Sequence, residues 1–220
     1  MELGPLFLSF RIAAIAIAVS GVIGVTLGAL LSSRRFPARD VFDVLVTAPM
    51  VMPPTVLGYY ALVAIGRKSA LGGLVERVTG SPLVFTETGA VIAACIGALP
   101  LVVKSSRAAL ESVDPLLVSA ARTLGAAPLR ALLTVEMPLA AQGIVAGLML
   151  GFARALGDFG VTLMVAGDIP GQTQTASLAI YDAIQSNREH DALVTIVVLT
   201  TVALSLLYAA NKLTSAPHGK

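Results

Sequence analysis

The chain has 220 residues, 56% of them hydrophobic and 13% charged, with a formal net charge of +2 and a mean hydropathy of +0.86. Soluble domains carry roughly 45–50% apolar and about 25% charged residues, so a water-soluble enzyme or binding module is excluded and the chain reads as an all-α, polytopic membrane protein. The single cysteine, Cys95, excludes an intramolecular disulfide and a multi-cysteine metal motif. Aromatic residues are 5% and tryptophan is absent, while glycine numbers 20. Helix contacts should therefore run through small residues.

A helix needs roughly 20 apolar residues to cross about 30 Å of hydrocarbon, and five stretches meet or approach that length. The first, residues 6–31, is interrupted only by Arg11, close enough to its start to snorkel. It is too long for a cleaved signal peptide and is expected to stay in the mature protein. The second, 41–65, carries Pro49, Pro53 and Pro54 and should be kinked or partly unwound. The third, 83–103, begins with Glu87 near its start. The fourth, 138–160, either stops near Gly157 or runs on to Gly167, and residues 154–175 form either a plain loop or a re-entrant segment. The fifth is 192–210, and residues 1–212 are read as one domain with a tail at 213–220.

Basic residues orient the bundle. Arg34, Arg35 and Arg39 follow the first span, Lys104, Arg107, Arg122 and Arg130 follow the third, and Lys212 and Lys220 lie in the tail, nine of the 15 in all. The opposite side has Arg11, Arg67, Lys68, Arg77, Arg154 and Arg188, the last beside Asp168, Asp182, Glu189 and Asp191. The positive-inside rule then puts the N-terminus outside and the C-terminus in the cytoplasm.

The connector at 112–137 is the most informative stretch. Asp114 is a helix N-cap with Pro115 at the first helical position, and Gly125 ends the helix in a left-handed conformation. Pro128 restarts helical structure, and Pro138 opens the fourth span. Leu116, Leu117, Ala120 and Leu124 recur at helical spacing, which suits a knob for a groove in a partner protein. The alternative is an amphipathic helix lying on lipid. A single basic residue, Arg122, favours the protein partner, because a lipid-surface helix usually shows several.

"SAARTLG", nine residues, then "VEMP" resembles the cytoplasmic EAA loop of ABC importer permeases: Glu-Ala-Ala, three residues, Gly, nine residues, an aliphatic, any residue, an aliphatic, Pro. Ala120, Ala121, Gly125, Val135, Met137 and Pro138 match, and Ser119 stands where the family has Glu. "FARALGDFGVTLMVAGDIPGQTQTASLAIYDAIQ" (152–185) and "APMVMPPTVLGYY" (48–60) are most similar to permeases for molybdate and, more loosely, sulfate and tungstate. The resemblance implies a type I importer transmembrane domain whose coupling helix, including Leu116, Leu117, Ser119, Ala120, Ala121, Arg122, Leu124 and Gly125, seats in an ATPase subunit. It further implies a homodimer of permeases, two ATP-binding subunits that hold ATP and magnesium, a soluble oxyanion-binding protein outside, and a membrane setting with no nucleic acid.

Other chemistry is sparse. No Gly-x-x-x-x-Gly-Lys-Ser/Thr loop occurs, and "GRKS" at Gly66 lacks the upstream glycine, so no ATP site, cofactor or catalytic residue is expected in this chain. His190 and His218 have no partners at metal-ligand spacing and read as solvated side chains. An oxyanion path needs hydroxyls, amides and a modest positive potential without a trap. Candidates are Thr55 beside Pro53 and Pro54, Thr162, and the run Gln172, Thr173, Gln174 and Thr175. Arg154 lies about 24 Å along the fourth span from Pro138, near the outer interface, where it either attracts an anion or pairs with Asp158 four residues on. Gly143, Gly147 and Gly151 form one small-residue stripe and Gly24 and Gly28 another, suited to tight helix packing. An ion-coupled secondary transporter is the rival class, and it would normally place ionisable groups deep in the spans. Spans one, three and five are almost free of them.

Overall fold

A computed structural model describes residues 4–33 and 38–215. Arg34, Arg35, His218 and Lys220, with the tail from 216, lie outside the described residues, as do the side chains of Glu189 and Asp191. The order is α1 (Gly4–Ser32), α2 (Arg39–Val51), α3 (Pro54–Ile65), α4 (Ala70–Thr79), α5 (Glu87–Glu111), α6 (Pro115–Thr123), α7 (Pro128–Ala131), a π-helical turn (Leu132–Glu136), α8 (Met137–Leu156), α9 (Gly160–Ala166), α10 (Ala176–Gln185) and α11 (Glu189–Ser215). No strand occurs among the described residues.

The hub is α5, flanked by α1 and α8. Ala90, Ala93, Ala94, Ala98, Val102 and Val103 along it are at most 1% exposed. Glycines on both neighbours let backbones approach. A Cβ on Gly24 would lie 2.7 Å from Val102 Cγ1, one on Gly28 2.8 Å from Ser106 Cβ, and one on Gly143 2.6 Å from Ala109 Cβ. A Cβ on the third stripe residue of α8, Gly151, would lie 2.8 Å from Ile17 Cδ1 of α1 and 3.0 Å from Val102 Cγ2 of α5. Lipid is as apolar as leucine, so contact between helices comes from such fitting surfaces rather than from exclusion of water. The last helix, α11, packs on α8 and α10 and leaves Leu193, Val197, Leu204 and Tyr208 exposed.

Among the described residues, four helical runs are long and apolar enough to cross a membrane: Gly4–Ser32, Glu87–Glu111, Pro128–Leu156 and Ala192–Thr214. The expected second span is the exception. It divides at Met52–Pro53 into α2 and α3, which meet at 116°. Pro53 and Pro54 supply no N–H to the preceding turn, and Pro54 takes the first position of α3, where a missing N–H costs nothing. At about 1.5 Å per residue neither half alone covers the hydrocarbon.

Other boundaries move for identifiable reasons. The third span, α5, starts at Glu87 rather than 83, because Phe85 takes a left-handed φ of 58° and the Thr86 hydroxyl accepts the Gly89 N–H. It runs on to Glu111, so Lys104 and Arg107 sit on helix rather than in the connector. Pro138 does not open the fourth span: α7 leads into α8 through the π turn, with the Met137 N–H bonded to the Leu132 carbonyl. Because Pro138 cannot donate to the Thr134 carbonyl, a widened turn accommodates its ring without a break. The span ends at Leu156 and not at 160, and the Asp158 carboxylate then accepts the Thr162 N–H in the first turn of α9.

Candidate functional site

The connector between α5 and α7 is built by its caps. Asp114 Oδ1 accepts the Leu116 N–H at 2.8 Å, and Pro115 starts α6. At the other end Gly125 adopts φ of 90°, its N–H bonds to the Arg122 carbonyl at 3.1 Å, and the Ala126 N–H reaches back to Ala121 at 3.0 Å. This pair of bonds is a Schellman closure, which satisfies the last carbonyls of the helix and turns the chain sharply. Ser119 turns its hydroxyl inward to the Pro115 carbonyl at 2.8 Å. Between the caps, Leu116 is 74% exposed, Leu117 49% and Leu124 89%, and Ala120 and Arg122 are exposed while Ala121 is half-buried. Fully burying a leucine is worth about 1.5–3 kcal/mol, so this face holds unspent binding energy.

Behind α6 the helix ends are tied together by charge. Lys104 Nζ lies 2.7 Å from Asp43 Oδ2, Arg107 Nη1 2.8 Å from Asp43 Oδ1, and Arg107 Nε 2.9 Å from Glu111 Oε1, while Arg39 also pairs with Glu111. Asp43 and Glu111 thereby join α2 to α5. A cavity of about 690 Å³ lies between α6 and these ends, bordered by Arg39, Glu111, Ser119, Arg122 and Glu136.

The path candidates fall into two groups. The elbow of Pro53, Pro54 and Thr55 is exposed and packs on the start of α9: a Cβ on Gly160 would lie 2.6 Å from Pro54 Cβ, and one on Gly58 2.6 Å from Met164 Cβ. Beside it, Asp158 is 3% exposed and fully engaged. Its Oδ1 accepts from Arg154 Nη1 at 3.0 Å, and its Oδ2 accepts the Thr162 N–H at 3.0 Å and the Thr162 hydroxyl at 2.7 Å. Arg154, Asp158 and Thr162 therefore form one bonded cluster, and the elbow that carries Thr55 reaches the same start of α9 through Pro54 and Gly160, although Thr162 is 2% exposed and its hydroxyl serves the carboxylate. Gln172 and Thr173 lie apart, in the turn between α9 and α10. The Thr173 hydroxyl is buried, donates to the Gly167 carbonyl and accepts the Ile169 N–H, each at 3.2 Å, whereas Gln172 is exposed. Gln174 and Thr175 are also buried, at 8% and 5% exposure.

Arg154 turns its side chain back along the bundle toward α5. Its guanidinium covers Gly97, in the interior of α5, instead of reaching the helix end. Three features escaped the sequence reading: the seat at Gly97, the Asp43 clamp, and helices α4 and α10. Ser69 before Leu71, Leu74, Val75 and Val78 was an available signal for α4, since its hydroxyl accepts the Gly72 N–H at 2.9 Å. No group of three or more metal-ligating side chains occurs among the described residues.

Residues 20–211 match the family of binding-protein-dependent transport system inner membrane components. The chain belongs to that family. It is 36% identical over 204 residues to the putative molybdenum transport system permease protein YvgM of Bacillus subtilis, covering 93% of this chain and 90% of that protein. It is 39% identical over 185 residues to the molybdenum transport system permease protein ModB of Escherichia coli K12, covering 84% and 81%. Its fold is similar to that of a chain of the MetNI methionine ABC transporter in an inward-facing form, with a TM-score of 0.71 at 15% identity over 95% of this chain and 94% of that one. As a family member with several apolar helices, the chain is a multi-pass inner-membrane transport subunit.

Proposed function

We propose that this chain is the permease subunit of an ATP-driven importer of molybdate. The observation that carries the reading is the doubly capped helix α6, which presents Leu116, Leu117 and Leu124 away from its own bundle. The kinship with permeases named for molybdenum transport supports the cargo. On this reading the α5–α8 connector lies in the cytoplasm, with the N-terminus outside. Two copies of the chain line the path, two ATPase subunits grip the α6 helices, and a soluble protein delivers the anion from outside.

The physical logic is division of labour. This chain lacks a phosphate-binding loop, so energy must enter through a contact, and α6 is the protruding element available for one. Closing the ATPases around α6 displaces the connector. The widened turn at Leu132–Glu136 joins it without a break to α8, and α8 rests on α5 through glycine contacts, so the displacement moves packed helices as rigid bodies.

The test is co-purification with the ATPase subunit encoded for the same transporter. Leu116→Asp combined with Leu124→Asp should abolish the complex while leaving the permease monodisperse in detergent. Retention of the ATPase by that variant would remove α6 as the coupling element.

A further inference from the structure

The Arg154–Asp158 pair is lopsided. The Asp158 side chain is 2% exposed and that of Arg154 37%. The carboxylate accepts three hydrogen bonds, whereas the guanidinium donates one to it and its remaining N–H groups have no acceptor among the described residues. The anion is therefore shut behind the cation, and the cation faces open space.

The position of the guanidinium is set by a glycine. Arg154 Cζ, Nη2 and Nη1 lie 3.2, 3.3 and 3.5 Å from where a Cβ on Gly97 would stand, so the planar group lies across a bare stretch of α5. Gly97 is about 15 Å along α5 from Glu87 at 1.5 Å per residue, near the middle of a helix long and apolar enough to cross a membrane. An arginine there with a third of its side chain open is costly against lipid, and intramembrane charges face the bundle interior or a water-filled cavity. The proline elbow, which carries the exposed Thr55, packs against the adjoining start of α9.

We propose that Arg154, seated on Gly97 and backed by Asp158, is the residue that contacts the oxyanion in transit and selects for it within the permease, with Asp158 as its positioning residue. This rests on the importer reading above. A guanidinium offers a flat edge of paired donors that matches two oxygens of a tetrahedral anion. The carboxylate behind it fixes that edge and offsets its charge, which keeps the hold weak enough for release, as conduction demands.

The test uses the permease–ATPase complex in liposomes with its binding protein, reading molybdate uptake per ATP hydrolysed. Arg154→Gln should lower that ratio at least tenfold and Arg154→Lys about threefold or more. Gly97→Val, which retains both charges and displaces the guanidinium, should lower it at least fivefold. Asp158→Asn supplies a readout that a merely structural role would not move: molybdate binding to the detergent-solubilised complex, by equilibrium dialysis, should tighten at least fivefold. An Arg154→Gln or Gly97→Val ratio within twofold of wild type overturns the proposal, as does unchanged or weaker molybdate binding in Asp158→Asn. If Arg154→Gln yields no stable complex, the Arg154→Lys and Gly97→Val ratios decide by the same limit. Failure of the wild-type complex to move molybdate, tungstate or sulfate would instead overturn the oxyanion reading and this inference together, and it is recognisable because it precedes any substitution.

Discussion

Gly147 of α8 faces Ser105 of α5 so closely that a Cβ on the glycine would lie 2.4 Å from the serine Cβ and 3.0 Å from its Oγ. The two helices touch at backbone distance there, and any side chain must separate them. Overpacking of this kind costs about 1–3 kcal/mol. Gly147→Val should therefore lower the melting temperature of the solubilised permease and reduce transport, and Gly147→Ala should do so more mildly. Gly4→Ala, with nothing within 4 Å of its new methyl, is the matched control and should be neutral.

The Schellman closure of α6 yields a prediction separable from crowding. Gly125 has φ of 90° and nothing within 4 Å of a Cβ, so a substitution there acts through backbone strain alone. A left-handed conformation costs an ordinary L-residue roughly 1–2 kcal/mol, and asparagine less. Gly125→Val should weaken ATPase co-purification about tenfold or more, as a 1.4 kcal/mol change implies, while Gly125→Asn should retain most of the complex. Equal loss in both variants would point to a direct contact at Gly125 instead.

The charge clamp behind α6 should couple α2 to α5. Asp43 lies between Lys104 and Arg107, with side-chain exposures of 21%, 43% and 17%. Partial exposure screens the pairs, and a coupling energy of about 1 kcal/mol or less is expected for each. A double-mutant cycle of Asp43→Asn with Arg107→Gln, read from denaturation midpoints at low and high salt, should show that coupling shrinking as salt rises. Additive effects at low salt would mean the clamp is only geometric.

Much of the fold was legible because membrane helices advertise themselves by length and apolarity, and α1, α5, α8 and α11 each carry such a run. The connector helix was equally readable, since Asp114, Pro115 and Gly125 act locally through caps and φ preference. The elbow was foreseen as a kink or a partial unwinding: proline tells where a helix breaks but not the angle, which is 116° with α3 packed against α9. Short helices α4 and α10 lack the length signal. The cluster around Asp158 was half visible, because the Arg154–Asp158 spacing is local, while the seat of the guanidinium depends on Gly97, 57 positions earlier in the chain. No periodicity announces a contact of that range. Thr162 and Thr173 illustrate the complementary limit, since a hydroxyl in sequence does not reveal whether its partner is a ligand or the protein itself.

The central claim is that this permease passes an oxyanion when an ATPase acts through α6. The most direct measurement is molybdate uptake into liposomes containing the permease–ATPase complex, with ATP supplied to the ATPase side and molybdate-loaded binding protein on the other. The account predicts ATP-dependent uptake that is stimulated by the loaded protein and lost in the Leu116→Asp, Leu124→Asp double variant. Uptake that proceeds without ATP, or that survives loss of the α6 leucines, would contradict it.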